Sequence, residues 1–346
     1  MGRRVLITGI SRHLAGRLAQ ALESDPEVES IVGVDVEEPE VDLERTEFVH
    51  ADIRNPLIVK VIEDSGADTV VHLNIIATPT RVGGRSAIKE INVIGSLQLF
   101  AACQKATTLR RVVMKSTTAV YGADPHAPAL FTEGLAFGST PSRGYAKDAA
   151  EVEQCARDFG RRRPEIALTI LRFANFMGSQ IETPLTRYFS LPAVPTAMGF
   201  DPRIQFVHED DAVEVLHRAT REDHPGIFNV CGDGVLHLSQ AIRICGKVAV
   251  PVIEPLAGAF AALLQRAGLA DFPADQVRLL VYGRVADNER LKRRFGYEPV
   301  YTTRTALEEF VKGNPSHRLI TPERVHRWTG SLEAAFRARA AAGAGR

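Results

Sequence analysis

The chain has 346 residues, 45% of them hydrophobic and 24% charged, with 42 acidic residues against 42 basic ones. Such values belong to globular proteins and exclude disordered and fibrous classes, and the balanced charge gives no general field to attract nucleic acid or an anionic membrane. The length suits one large α/β unit with a smaller lobe attached.

The opening MGRRVLITG carries one strand's worth of apolar residues, with no long apolar core or small-residue cleavage site, so no signal peptide is expected. Leu6 stands where a myristoylation signal needs Ser or Thr. The most apolar later stretch, Val248 to Leu264, is broken by Pro251, Glu254 and Pro255, which argues against a membrane span. Cys103, Cys155, Cys231 and Cys245 lack metal-ligand spacing and read as ordinary thiols of a reducing compartment. A cytoplasmic protein is expected.

The first half alternates strand and helix patterns. Arg3 to Thr8 is a short apolar strand ending at Gly9, followed by helical spacing from about His13 to Glu23. Ser30 to Asp35 and Thr46 to His50 read as strands, Leu57 to Asp64 as a helix, and Thr69 to Leu73 as a fourth strand. A long helix is expected from about Ser86 to Lys105, strand five over Arg111 to Lys115, a helix over Tyr145 to Phe159, and strand six over Ala167 to Leu171. Strands separated by helices require right-handed crossovers, which build a parallel sheet covered on both faces. The fold class is therefore α/β, a doubly wound Rossmann sheet whose ligands sit beyond the carboxyl ends of the strands.

Beyond Asn175 the pattern loosens and prolines multiply. Residues 1–175 are expected to form the dinucleotide-binding domain and 176–330 a substrate lobe interleaved with elements returning to the sheet. Residues 331–346 are expected to be a flexible helical tail.

The first strand runs into Thr8-Gly9-Ile10-Ser11-Arg12-His13-Leu14-Ala15-Gly16. A glycine at this turn lets backbone approach a pyrophosphate, and the next helix offers free N–H groups and the positive end of its dipole. Gly9 and Ala15 fit the first and third positions of the glycine-rich spacing, but Arg12 occupies the middle one. Arg12 either contacts the pyrophosphate as a cation or blocks its approach. Asp35 closes the second strand, where a carboxylate accepts both adenosine ribose hydroxyls and repels a 2′-phosphate, which favours NAD over NADP. Asp52 closes the third strand, where adenine would lie. The plainer alternative is that both are loop caps. Gly9, Ser11, Arg12, His13, Leu14, Asp35, Asp52, Ile53, Leu73, Asn92 and Tyr145 are the expected cofactor-binding residues.

With these residues in place, the sequence resembles the extended short-chain dehydrogenase/reductase family, in its NAD-dependent epimerase/dehydratase branch typified by UDP-glucose 4-epimerase. The likeness covers roughly residues 3 to 312. Besides the glycine turn, Asp35 and Asp52, it rests on Val70-Val71-His72-Leu73, Asn92-Val93-Ile94-Gly95 and Ser116-Thr117-Thr118-Ala119-Val120-Tyr121-Gly122. It continues in Leu171-Arg172-Phe173-Ala174-Asn175, the run from Phe206 to Ala212, Phe228-Asn229-Val230-Cys231-Gly232, and Asp287 to Pro299.

The resemblance implies a catalytic Thr or Ser, a Tyr, and a Lys four residues after it. The lysine binds the nicotinamide ribose and stabilises ionised tyrosine. The matching residues are Thr117 and Tyr145, but the lysine position holds Ala149. Lys147 is offset by roughly 200° around a helix and reads as a solvated face residue, while Glu153 keeps the family's acidic position and fixes the register. The expected function is NAD-dependent epimerisation or dehydration of a nucleotide-diphosphate sugar. A non-catalytic dinucleotide or sugar-nucleotide binding protein stays open because of Ala149 and Arg12. Oxidation of an apolar, steroid-like alcohol is a third reading, supported by Val248 to Leu264 alone.

Thr117, Asn175, Arg203 and Arg284 are expected to contact substrate, with Arg172 as a further diphosphate candidate, since arginine forks onto diphosphate oxygens. His208 to Asp211 read as lobe structure and helix capping, and no metal is expected. Arg161 to Arg163 end a helix without interleaved aromatics, so nucleic-acid binding is not expected. The resemblance also implies a homodimer through the helices near Ser86 to Lys105 and Tyr145 to Phe159.

Overall fold

A computed structural model describes residues 2–76, 85–135, 144–252 and 274–314. The expected tail, and the part of the apolar stretch from 253 onward, lie outside the described residues.

Strand β1 (Arg3–Thr8) leads through a turn into α1 (His13–Glu23). Leu14, Leu18 and Leu22, with Ala15 and Ala19, recur at helical spacing and are all buried, so α1 lies flat on the sheet. Then follow β2 (Val28–Asp35), β3 (Thr46–His50), α2 (Ile58–Ser65) and β4 (Thr69–His72). The expected long helix is interrupted. It runs as α3 (Arg85–Lys89), a π-helical stretch Glu90–Gly95, and α4 (Ser96–Lys105). At its centre a Cβ on Gly95 would lie 2.6 Å from Cδ1 of Ile53, so glycine is what lets this stretch close on the sheet edge.

Next come β5 (Arg111–Thr117), a 3-10 turn Thr118–Tyr121, α5 (Gly144–Arg162) and β6 (Ala167–Phe173). Strands β5 and β6 outrun their expected ends at Lys115 and Leu171, because Ser116 pairs with Arg172 and Thr117 with Phe173 in the ladder. Backbone pairing carries these polar residues in a strand that apolar patterning alone would end sooner.

The remaining elements are β7 (Asn175–Met177), α6 (Pro184–Ser190), β8 (Ala193–Ala197), β9 (Arg203–Ile204), β10 (Phe206–His208), α7 (Glu209–Arg221) and β11 (Gly226–Val230). After them come β12 (Leu236–His237), α8 (Leu238–Ile244), β13 (Val248–Val252), α9 (Ala274–Tyr282), a π-helical turn Leu291–Phe295 and α10 (Thr303–Gly313).

The main sheet has seven strands in the order β11-β6-β5-β4-β1-β2-β3, every neighbouring pair parallel. β11 pairs in parallel with β6 at one edge of the sheet. One face packs α1 and α7 through Leu18, Leu22, Val215 and Leu216. The opposite face packs α2, α4 and α5 through Ile62, Leu99, Phe100 and Val152. Each such side chain contributes about 1.5–3 kcal/mol on burial. The strand order reverses between β1 and β4, which opens a crevice at their carboxyl ends. A further cluster of buried residues gathers around Tyr188, Phe189, Phe206, Leu307 and Phe310, in a region with paired strands β7/β10, β9/β12 and β8/β13. Val248 to Val252 are thus strand residues paired to Ala193–Ala197. No helix among the described residues is long and apolar enough to cross a membrane.

Candidate functional site

The crevice at the switch point is built around Gly9. Its φ is +81°, and a Cβ there would lie 2.9 Å from the backbone of Asn74, so the position is closed to side chains on both counts. The turn is tied to β2 by Asp35, only 3% exposed, which accepts from the Ser11 amide at 3.1 Å, the Ser11 hydroxyl at 2.5 Å and the Val36 amide at 2.8 Å. Arg12 is the N-cap of α1 yet supplies no side-chain cap, so the first-turn amides at His13 and Leu14 have no side-chain partner from it. Asn74 Oδ1 and Arg12 Nε are buried with no hydrogen-bond partner. A glycine cradle, an uncapped helix N-terminus, a buried carboxylate and orphaned polar atoms fit an anionic dinucleotide with ribose hydroxyls.

The other expected cofactor residues divide by what their side chains do. Leu14 is buried in the α1–sheet core, and His13 Nε2 lies 2.7 Å from Glu209 Oε2. Burial pushes the Glu209 carboxyl up, but hydrogen bonds from His13 and the Gln180 amide, and the charge of Arg17, outweigh it and hold the group low. Leu73 is buried one residue beyond β4, with its amide on Thr8 O at 3.1 Å. Ile53 is buried against Gly95. Asp52 is forked by Arg54, Nε to Oδ1 at 3.0 Å and Nη2 to Oδ2 at 2.5 Å, and that bonding holds its carboxyl below the usual range despite burial. Asn92 is fully buried, its amide oxygen accepting from Ile76 N and its nitrogen donating to Ile76 O, both at 2.8 Å. Asn92 therefore holds the segment that follows β4 through the backbone of Ile76.

Thr117 ends β5, its hydroxyl oxygen accepting from the Ala119 amide at 3.1 Å, which leaves the hydroxyl proton to give elsewhere. Tyr145 sits in the first turn of α5, partly buried against the core that includes Val152. Lys147 pairs with Glu151 at 3.5 Å on the half-exposed side of α5, as its helical offset implies. Ala149 is fully buried and packs with Val120, Tyr121 and Phe131, and the two rings stack at 4.8 Å. Ala149 is thus buried in the same cluster as this aromatic pair.

Arg172 corrects an expectation. It is 1% exposed and is forked onto Glu153 at 2.8 and 2.6 Å, with Nη1 on Tyr121 Oη at 2.8 Å. Ser116 donates to the same Glu153 at 2.6 Å, and Tyr121 donates to Asn229 Oδ1 at 2.7 Å. The network is a buried brace between β5, β6, α5 and β11, so Arg172 is not a diphosphate ligand.

Arg203 and Arg284 converge on one cavity of about 450 Å³, which Asp124, Phe200 and His237 also line. The Arg284 amide bonds Arg203 O at 3.0 Å, and the approach is permitted by Gly283 (φ +76°), whose Cβ would meet that same oxygen. Arg203 Nη2 donates to Ala129 O at 2.9 Å and Arg284 Nη1 to Gly122 O at 3.2 Å. Asn175 is placed apart from this cavity, on β7, accepting from Gln276 at 2.8 Å. His208 caps α7 by accepting from the Asp210 amide at 3.2 Å, which is the capping role read for this stretch. Sequence patterning passes over Lys115 and Asn74. A lysine ending the apolar run Arg-Val-Val-Met-Lys is the available signal for the first.

A doubly wound parallel sheet, with a glycine turn and a strand-end aspartate at its switch point, defines a dinucleotide-binding α/β protein. The family model for the NAD dependent epimerase/dehydratase family matches residues 5–231, and the chain belongs to that family. A protein of Mycobacterium tuberculosis with no assigned activity is 45% identical over 330 residues, 94% of this chain and 88% of its own length. The UDP-glucose 4-epimerase of Yersinia pestis is 34% identical over 188 residues, 45% of this chain and 54% of its own. Among solved structures, a dTDP-glucose 4,6-dehydratase from Bacillus anthracis in complex with NAD superposes with TM-score 0.70 at 17% identity, covering 91% of this chain and 97% of that one. A UDP-glucose 4-epimerase from Thermotoga maritima with UDP-glucose gives 0.69 at 17% identity, covering 90% and 98%. These superpositions establish the shared fold.

Proposed function

We propose that the chain binds NAD in the Gly9–Asp35 crevice and uses it on a nucleotide-diphosphate sugar held toward Arg203 and Arg284. The buried Asp35 tied to the Ser11 turn carries this reading, because a strand-end carboxylate there suits unmodified ribose hydroxyls and repels a 2′-phosphate. Bound NAD would supply the hydride acceptor. Tyr145 would take the proton from the reacting sugar hydroxyl, and Thr117 would donate a hydrogen bond from its hydroxyl to the same oxygen, keeping its own proton. Asn175 would meet the sugar from the lobe. The protein would work in the cytoplasm, as a homodimer through the helices near Ser86 to Lys105 and Tyr145 to Phe159.

A second reading has its own observation. With Ala149 buried under the Tyr121–Phe131 stack, no lysine stands four residues after Tyr145 to favour its ionised form. A positioned general base contributes about two to four orders of magnitude in rate, and Tyr145 without that cation gives up part of it, which favours a dinucleotide-binding protein that turns over slowly or not at all.

One experiment tests both. The protein is purified and denatured, released nucleotide is identified by mass spectrometry, and NAD and NADP are titrated into wild type and Asp35→Ala. NAD binding that Asp35→Ala weakens at least tenfold, with NADP the poorer ligand of wild type, is expected. If neither dinucleotide binds, the redox reading falls. Turnover of UDP-sugars that Tyr145→Phe abolishes would remove the binding-protein reading.

A further inference from the structure

In the ladder Thr8 pairs with His72 and His72 with Met114, so the next residues along the three strands, Gly9, Leu73 and Lys115, share one layer at the crevice floor. Alternation along β5 puts Lys115 on the same side as Val113, whose core is the α1 and α7 face, and as Thr117. Lys115 thus sits beneath the turn that carries Arg12 into α1. The two cations act on each other. Burial first, and the Arg12 charge second, depress the Lys115 ammonium to about 8, while His72, the other titratable neighbour, is held neutral by burial.

Among the described residues neither the Arg12 guanidinium nor the Lys115 ammonium has a hydrogen bond or an ion pair, and Arg12 Nε is buried without a partner. Arg54 and Arg172, by contrast, are answered by carboxylates, Arg54 by Asp52 and Arg172 by Glu153. Two adjacent cations left unanswered beside an uncapped helix N-terminus are a seat for a dianion, since unpaired charge under partial burial is costly until an anion arrives.

We propose that Arg12 and Lys115 seat the diphosphate of the dinucleotide as a cation pair, in place of the close backbone approach that a glycine at position 12 gives. The inference rests on the NAD reading above and adds a residue from β5 to the cofactor site. Arg12 lies over the first turn of α1 and Lys115 reaches from the sheet below. The cost of holding both charges is borne by the free protein and released on binding.

The test is calorimetric titration of NAD, ADP-ribose and UDP into the full chain as wild type, Lys115→Gln and Arg12→Gln, at low and high salt, with thermal midpoints of the free proteins. Removing either cation should weaken NAD by about tenfold or more, as expected for a charge-assisted hydrogen bond. ADP-ribose should weaken by the same factor, because both ligands carry the diphosphate. The salt dependence should become shallower in each variant, and the free variants should melt no lower than wild type. Lys115→Met replaces Lys115→Gln should that variant lose its cooperative melt. Wild-type affinity for NAD in both variants, or a loss confined to UDP, overturns the proposal. Failure of wild type to bind NAD at all instead overturns the underlying reading and this one with it.

Discussion

Arg172 and Glu153 face each other inside the protein as a fork, Nε to Oε1 at 2.8 Å and Nη2 to Oε2 at 2.6 Å, with side chains 1% and 0% exposed. The pair fixes α5, which carries Tyr145, to β6, and through Ser116 and Tyr121 to the end of β5 and the turn after it. The register of the expected catalytic residues is thereby set from within the core.

Removing one partner of this fork leaves the other charged and buried. Glu153→Ala should cost about 3–5 kcal/mol of unfolding free energy, read as the shift in urea midpoint times the slope. Arg157, bonded to Glu153 at 3.1 Å, is partly exposed, and its removal leaves Glu153 still forked by Arg172, so Arg157→Ala should cost far less. A Glu153→Ala protein as stable as wild type would show that the brace contributes little.

Ala149→Lys is the substitution that restores the family pattern, and the structure makes it expensive. Ala149 is 0% exposed in the cluster with Val120, Tyr121 and Phe131, so a lysine must displace the stacked rings or bury its ammonium among them. We expect at least about 1–3 kcal/mol of destabilisation from overpacking alone. The paired variant Ala149→Lys with Phe131→Ala, which opens room, should recover turnover better than Ala149→Lys by itself. Full stability together with a large gain in rate for the single substitution would show that the aromatic pair is not the obstacle.

The elements that were legible were those whose own residues carry the pattern. Helix α1 and strand β3 fall where their spacing puts them, and Gly9 and Asp35 were legible because each ends an apolar strand. The π-helical Glu90–Gly95 was not, because its cause is Gly95 packing on Ile53 in another element. Arg172 looked like a ligand residue because its partner Glu153 is joined to it only by the pairing of α5 with β6. Lys115 was missed because a lysine at a strand end is ordinary until the ladder sets it in the layer of Gly9 and beneath Arg12. The meeting of Arg203 with Arg284 depends on one backbone bond between distant segments, which neither local sequence encodes.

His72 gives the protein a pH dependence with a definite sign. The ring is fully buried, its Nδ1 2.7 Å from Thr8 Oγ1 and its Nε2 2.8 Å from Ser96 Oγ. Ser96 donates its single hydroxyl proton to Asn92 O, so Nε2 carries the imidazole proton and Nδ1 accepts from Thr8. Burial, with a smaller push from Lys115, lowers the ring to about 3. The unfolded chain takes up a proton near the ordinary histidine value of about 6.5 while the native protein does not. The native state is therefore unaffected above that value and loses stability as the pH falls from it toward 3. The slope approaches about 1.4 kcal/mol per pH unit, so wild type should lose about 2 kcal/mol between pH 7 and pH 5. Carboxylates contribute little in that window, because their unfolded values of about 4 lie below it. Urea unfolding at the two pH values, on wild type and His72→Gln, checks this. The variant should start less stable and stay nearly flat, and an equal decline in both proteins would assign the acid sensitivity to another group.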